Sequence, residues 1–341
     1  MNSKVIKFVA GGGKTTYSKK YLKENKNGIY LAFTNSVVKD VKNSGFLAKT
    51  IDSFFLSFLI PKFSSVIPLI ASGSKVIFTD AKLLPKYLIG ISNIHIKEDG
   101  KICNHGKETG IDLKITNEQL HGMGNFPNSK VIKYIFSKKE LRLTDKLREE
   151  LSLYLLKNYE NDIIDLINSR FSYILIDEAQ DLNGYREIFA KVIYNSDIKL
   201  ILLGDDNQNI NGGGDWFATL NADCSQNKSH RCPENNCEWI RNNLDIKIYG
   251  TNNNSKFERI EIMDTHKFDD GERTLLYSQK SGKIKDIVDN WKGPKDTIRS
   301  AKGSTIENDI VIIGNILNTK NYYTAITRTK KNVYTTIKLK K

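Results

Sequence analysis

The chain has no long uninterrupted hydrophobic run. Its most apolar window, IDSFFLSFLIPKFSSVIPLI from Ile51 to Ile70, is broken by Asp52, Pro61, Lys62, Pro68 and several serines, which makes it a poor membrane span. Cysteine is also scarce: 4 in 341 residues do not make a disulfide framework and point to a reducing compartment. Met1 to Ala10 alternates polar and apolar residues where a secretory leader would carry an apolar core, so an intracellular, cytoplasmic protein is expected. Acidic residues are in deficit, with 39 Asp and Glu against 52 Lys and Arg, a formal net charge of +13. No single block of like charge accounts for that excess, so it is spread over folded surface. It favours an anionic partner, most simply nucleic acid, with a generically basic soluble surface as the alternative.

What is present is enough for about two ordinary domains, since 39% of the 341 residues are hydrophobic and each half can bury its own core. Val5 to Ala10 (VIKFVA) reads as a short apolar strand that ends at Gly11-Gly12-Gly13, and Lys14 to Leu22 reads as a helix start. Strand, glycine turn and helix is the setting of a phosphate-binding loop. Of the full pattern G-x-x-x-x-G-K-[ST] the first glycine is missing, its place held by Phe8. The second half is complete. Gly11, Gly12 and Gly13 let backbone N–H groups converge on phosphate oxygens, Lys14 is placed to reach phosphates, Thr15 to ligate Mg²⁺, and the helix N-terminus favours an anion. A glycine turn before a surface helix is the competing reading.

Two further apolar runs end in acidic residues. Phe171 to Leu182 (FSYILIDEAQDL) delivers Asp177 and Glu178 at a strand tip, and IKLILL (Ile198 to Leu203) ends in GDDNQNI with Asp205 and Gln208. A metal-holding Asp and a water-activating Glu are wanted at such strand ends beside a phosphate loop. In this company the chain resembles superfamily 1 helicases of the UvrD/Rep type. AGGGKTT (Ala10 to Thr16) is similar to motif I, LAFTNSVV (Leu31 to Val38) to motif Ia, and KTIDSFF (Lys49 to Phe55) to motif Ib. IDEAQD (Ile176 to Asp181) is similar to motif II, GDDNQNI (Gly204 to Ile210) to motif III, and SHRCPEN (Ser229 to Asn235) to motif IV. TIRSAKGSTIENDIV (Thr297 to Val311) is similar to motif V and YYTAITRTKK (Tyr322 to Lys331) to motif VI. The order is the family's, and the resemblance spans almost the whole chain.

The resemblance implies an α/β fold of two tandem RecA-like P-loop domains: 1–220 as domain 1A with a small, partly helical 1B-like insertion at about 60–168, and 221–341 as domain 2A. It implies ATP and Mg²⁺ as cofactors. Gly11, Gly12, Gly13, Lys14, Thr15 and Thr16 would hold phosphates, with Thr15 and Asp177 on the metal. Glu178 would orient and deprotonate the attacking water, and Gln208 would contact the γ-phosphate. Arg231 and Arg328 would act as arginine fingers, spreading positive charge over the transferring phosphoryl group. Gly303 and Glu307 of motif V would also belong to the nucleotide site. Phe33, Thr34, Asn35, Thr50 and Phe54, with Thr297, Arg299 and Ser300, would line a strand-binding groove, and Trp216 with Phe217 would offer a stacking platform. Core packing is the alternative for Trp216 and Phe217, and the favoured one for at least one of Phe54 and Phe55.

There are departures from the pattern. Only 9 residues precede Ala10, without the adenine-reading glutamine segment that UvrD-type members carry there. Between Arg231 and Thr297 lie 297 − 231 = 66 positions, too few for a 2B insertion. Within the expected 1B-like insertion, His95 to Lys114 reads as a loop and Ser137 to Ile167 as an amphipathic helix. Cys224, His230, Cys232 and Cys237 do not have the spacing of zinc knuckles, and buried or idle thiols are favoured. The expected activity is an ATP-dependent helicase or translocase on single-stranded nucleic acid, DNA preferred over RNA, moving 3′ to 5′ by the resemblance of DEAQD, with the opposite direction as the alternative because AKGST and the lack of a 2B insertion resemble the RecD-like branch. The alternatives are a strand-stimulated ATPase switch that recruits a nuclease or polymerase in replication, repair or defence, and an RNA helicase of viral type.

Overall fold

The structure is a computed structural model, and it describes residues 3–70, 75–80, 93–124, 129–137, 139–210, 212–251, 255–314 and 318–337. Parts of the expected insertion, 71–74, 81–92, 125–128 and 138, lie outside the described residues. Contacts divide the chain into two compact units. The first comprises Met1–Ser3, Asn25–Leu175 and Asn183–Leu200; the second comprises Lys4–Glu24, Ile176–Leu182 and Ile201–Lys341. Among the described residues no helix is long and apolar enough to cross a membrane.

In the first unit, strands Gly28–Ala32 and Ala48–Thr50 pair in parallel, Tyr30 opposite Ala48 and Ala32 opposite Thr50. The helix Asn35–Asn43 connects them, burying Val38 and Val41. Gly28 is required by close approach, because a Cβ there would lie 2.0 Å from the Tyr173 ring. After the second strand, the Thr50 hydroxyl accepts the Ser53 N–H at 3.1 Å and caps the turn Ile51–Phe54. Phe54 and Phe55 are both fully buried, Phe54 stacked on Phe58 at 5.0 Å and tilted against Phe171 and Phe189. Phe54 therefore has no free face for a base, and the expectation that it lines a strand groove is corrected: its ring belongs to an aromatic core cluster.

The insertion also departs from expectation. His95 to Lys114 is largely a three-stranded antiparallel sheet, Ile94–Ile96, Lys101–Asn104 and Lys107–Asp112 in that order. Its turns fall at Gly100 and Gly106, whose φ of +86° and +77° few L residues adopt. The strands are short and interrupted by a bulge at Ile102/Cys103, so their alternation is too brief to register as strand periodicity. Ser137 to Ile167 opens with a strand, Glu140–Leu143, parallel to Lys75–Phe78, before helices Asp145–Asn158 and Glu160–Asn168. Asp52 links these parts. Its carboxylate takes a bidentate pair from Arg186 at 2.7 and 3.0 Å, the Arg148 guanidinium at 3.2 Å and the Tyr185 hydroxyl.

The second unit holds the glycine loop. Strand Lys4–Phe8 lies between parallel partners, with Ile6 opposite Leu203 on one side and opposite Cys224 on the other. A five-stranded parallel sheet follows in the order Phe257–Arg259, Val333–Thr335, Ile310–Ile313, Thr274–Tyr277, Lys295–Thr297. In its central strand Ile310 and Ile312 enter one apolar cluster, while Val311 and Ile313 enter another with Ile284, Val288 and Trp291. Alternate residues of one strand thus bury opposite faces, the arrangement of a parallel sheet covered on both sides. These are the α/β parallel sheets the sequence implied, in keeping with RecA-like domains. Val9 and Ala10 pack into the first of those clusters beside Tyr322 and Tyr323, so the start of the loop is part of a core.

The Asp52 cluster sets a stability test. Burial opposes the Asp52 charge, but hydrogen bonds from Arg186 and Tyr185 and the two guanidinium charges outweigh it and hold the carboxyl below its ordinary range. Asp52→Asn should cost about 1–3 kcal/mol in urea unfolding at neutral pH, mostly by breaking the bidentate pair with Arg186 and leaving Arg148 with Asp145 as its carboxylate partner. A depressed carboxyl contributes stability above its unfolded pKa and loses it as pH falls, so the deficit should shrink below about pH 4.

Candidate functional site

Each part of the loop has a local cause. Phe8, in the place of the missing glycine, is the last residue of a strand and is buried, so the loop proper is short. Its turn is closed by the Gly12 N–H donating to the Val9 carbonyl at 2.9 Å. Gly11 and Gly13 have φ of +70° and +88°. A Cβ on Gly11 would come within 2.8 Å of both Arg231 Cβ and Ser229 Oγ, so the 229–231 segment rests directly on the loop. That segment is tied down by the Ser229 hydroxyl donating to the Ala10 carbonyl at 2.7 Å and the His230 N–H donating to the Gly11 carbonyl at 2.9 Å.

A cavity of about 380 Å³ opens over the loop, within the usual range for small-molecule sites. Gly11, Gly12, Gly13, Lys14, Thr15, Thr16, Glu178, Gln208, His230, Arg231, Gly303, Thr305, Arg328 and Lys330 line it. Lys14, Arg231, Arg328 and Lys330 thus face a single lining carboxylate, Glu178. Lys14 Nζ lies 2.7 Å from Glu178 Oε2, and Gln180 Nε2 donates to the same oxygen at 2.5 Å. Burial would lower the Lys14 pKa, but Glu178, Asp177 and Asp205 reverse this and raise it. For Glu178 burial works upward, and the Lys14 and Lys302 charges pull its carboxyl down to about 2. Glu178 also sits at φ +55°, a left-handed conformation unusual for a residue with a side chain, which is strain stored at the strand tip.

The guanidiniums are the unsatisfied part. Arg328 is 1% exposed; it donates to the Thr324 carbonyl at 3.0 Å and the Ser304 carbonyl at 3.4 Å, leaving Nη2 without a partner. Arg231 reaches Thr305 Oγ1 at 3.2 Å and leaves Nε without one. Burial lowers the pKa of both, and at Arg328 the neighbouring Arg231 charge adds to it. A buried and a half-buried cation with orphaned donors want an anion, and a polyphosphate has the charge and acceptors to fit. Among the described residues no group of three or more His, Cys, Asp or Glu is placed to hold a metal by itself. A cation here would therefore share Thr15 and Asp177 with oxygens of the bound anion. Thr15 is exposed in the cavity, whereas Asp177 is 3% exposed, is absent from the lining and accepts the Glu178 N–H at 2.8 Å.

Of the other residues singled out from sequence, Glu307 stays outside the cavity lining, largely exposed and paired with Lys330 at 2.9 Å. In the first unit Phe33 is half-buried and Thr34 and Asn35 are exposed at a helix start, while the Thr50 hydroxyl is engaged as a cap. In the second, Trp216 is half-buried, Phe217 is core at 1% exposure, and Arg299 and Ser300 are exposed. Thr297 Oγ1 accepts the Ser300 N–H at 3.0 Å. Sequence reasoning missed Lys302, which donates to both Asp181 oxygens at 2.6 and 2.7 Å and to the Gln208 carbonyl at 2.6 Å. Also missed were Ser229, Gln180 and Tyr323. Ser229 and Tyr323 reach Ala10 across 219 and 313 residues, whereas Gln180 bonds to Glu178 two residues before it, and the signal in each case was a place inside a motif.

Residues 102–212 match the family model for the UvrD/REP helicase N-terminal domain. That segment is UvrD/Rep-like, and it carries Asp177, Glu178 and Gln208. Over 85 residues the chain is 34% identical to the RecBCD enzyme subunit RecB of Borreliella burgdorferi, covering 23% of this chain and 7% of that protein. Among solved structures it is similar to the PRRSV helicase, at 14% identity and a TM-score of 0.47 over 98% of this chain and 52% of that one. It is also similar to Arterivirus nonstructural protein 10 (helicase) in complex with DNA, at 13% identity and a TM-score of 0.48 over 98% of this chain and 60% of that one. The chain thus spans about half the length of these viral proteins and a small part of RecB.

Asp205 provides a pH test of the cluster. Burial pushes its carboxyl up to about 6, against the opposing pull of Lys14 and the Tyr323 hydroxyl. A group raised on folding stabilises fully below its unfolded pKa, and that stability is lost as pH rises through the folded value. Asparagine does not titrate. The stability of Asp205→Asn relative to wild type should therefore increase between about pH 4.5 and about pH 7.5 in paired urea titrations.

Proposed function

We propose that the chain is an ATP-hydrolysing motor that moves along single-stranded nucleic acid and unwinds duplex ahead of it, with DNA the preferred track and 3′ to 5′ the preferred direction. The observation that carries this is the cavity itself: a glycine loop, a lysine, a strand-tip glutamate and two guanidiniums with orphaned donors, one buried and one half-buried, all facing one space. The family match and the basic surface support it. In this reading residues 1–220 and 221–341 work as domains 1A and 2A, and the protein acts inside the cell.

Bound ATP with Mg²⁺ supplies a phosphoanhydride and a Lewis acid. Gly11 to Thr16 would hold its phosphates, and Thr15 with Asp177 the metal. Glu178 orients and deprotonates water, but with its carboxyl held at about 2 by Lys14 and Lys302 it is a weak base. It becomes an effective one only as Lys14 swings off it. Arg231 and Arg328 spread positive charge over the leaving phosphoryl oxygens, and Gln208 reports their presence to the rest of the chain. Phe33, Thr34, Asn35, Thr297, Arg299, Ser300 and Trp216 would contact the strand, with Glu307 near the ribose. The 66 positions from Arg231 to Thr297 (297 − 231) leave no room for a 2B insertion, which favours as second reading a strand-sensing ATPase that recruits a partner nuclease or polymerase.

Steady-state ATP hydrolysis in Mg²⁺, with and without single-stranded DNA or RNA, tests the proposal. One polymer should stimulate hydrolysis, and Lys14→Ala should abolish it by at least ~100-fold. Glu178→Gln should lose a similar factor in kcat while still retaining fluorescent ATP analogues. Equal rates for wild type and both variants, unmoved by either polymer, would dismiss the motor. Directional unwinding of a tailed duplex separates the first reading from the second.

A further inference from the structure

One buried hydroxyl in the second unit joins three segments that sequence reasoning treated separately. Tyr323 lies in the helix Thr319–Ile326, five residues before Arg328, and its ring is fully buried. Its phenol oxygen accepts the Ala10 N–H at 2.9 Å and donates to Asp205 Oδ2 at 3.0 Å. Ala10 opens the glycine loop. Asp205 is 1% exposed, and its other oxygen accepts the Asn207 N–H at 3.1 Å, capping the turn Asp206–Gln208 that carries Gln208 to the cavity.

We infer that Tyr323 is a positioning residue: its hydroxyl is the strut that fixes the loop and the Gln208 turn in register with the helix that leads to Arg328. Both halves of the strut are specific. A buried N–H left without an acceptor is costly, so phenylalanine, which fills the same space, would strand the Ala10 amide and remove a donor from Asp205. The neighbouring Tyr322 supplies an internal control. It sits on the same helix, is equally buried, and spends its hydroxyl on Thr335 Oγ1 at 2.9 Å, away from the loop. Loss of a buried hydroxyl is common to both phenylalanine variants; loss of the link to the loop belongs to Tyr323 alone.

The test compares Tyr323→Phe and Tyr322→Phe in the full chain by two measurements. The first is amide hydrogen exchange without nucleotide. Tyr323→Phe should speed exchange at least ~10-fold in peptides covering Ala10 and in those covering Asn207 and Gln208, with the strand Ile310–Ile313 unchanged; Tyr322→Phe should leave the loop and turn peptides at the wild-type rate. The second rests on the proposed ATPase and uses ATP, Mg²⁺ and single-stranded DNA or RNA. Tyr323→Phe should lower kcat about 10- to 100-fold with little change in KM, and Tyr322→Phe should hydrolyse like wild type. Unchanged exchange at either site in Tyr323→Phe overturns the strut. Faster exchange with an unaltered kcat overturns its positioning role. If wild type hydrolyses nothing, the motor reading has failed, and the exchange data still decide whether the strut exists. Should Tyr323→Phe not fold, Asp205→Ala removes the acceptor at the far end of the link and is judged at the peptides covering Ala10, because it also removes the cap on Asn207.

Discussion

The second unit depends on a set of charges packed around the glycine loop and held in balance by hydrogen bonds. Lys14, Arg231 and Arg328 stand against Asp177, Glu178 and Asp205. Lys14 satisfies Glu178, Lys302 holds Asp181, and Tyr323 divides its hydroxyl between Ala10 and Asp205. Of these charges, Arg231 and Arg328 keep donors without a partner, at Nε and Nη2. A buried cationic donor without an acceptor is costly, and an anion that reaches it relieves the cost.

Much of this was legible in the sequence, because phosphate chemistry needs particular residue types at particular chain positions. A lysine after glycines and a carboxylate pair after an apolar strand are short-range patterns, and the cavity lining contains the lysine and glutamate that they singled out, with the glutamine and both arginines whose roles the family resemblance implied. The struts were not legible. Tyr323 and Ala10 are 313 residues apart, and Ser229 and Ala10 are 219, so no spacing rule could connect them. Metal ligation by Asp177 and the ribose contact by Glu307 rest on motif position, with one side chain buried behind the strand tip and the other paired with Lys330 at the surface.

The first unit was harder to read for a different reason. Its aromatic residues do not announce which way they face: Phe33 is half-buried, while Phe54 is sealed among Phe55, Phe58 and Phe189. Hydroxyls are ambiguous in the same way. Thr50 spends its oxygen on a helix cap, a use that composition does not distinguish from a phosphate contact. The small antiparallel sheet after Ile94 escaped notice because glycines with positive φ turn the chain every few residues, leaving strands too short for periodicity to register.

The placement of Val9 and Ala10 inside an apolar cluster makes the cavity asymmetric. Its floor is built into a core, and core packing resists small displacements. Its far side carries Gly303, exposed at a φ of +87°, with open space where a Cβ would stand. The residues on either side of that glycine are anchored, Lys302 to Asp181 and the Gln208 carbonyl, and the Ser304 carbonyl to both guanidiniums. A side chain introduced at this one position would therefore narrow the mouth of the cavity without touching its floor.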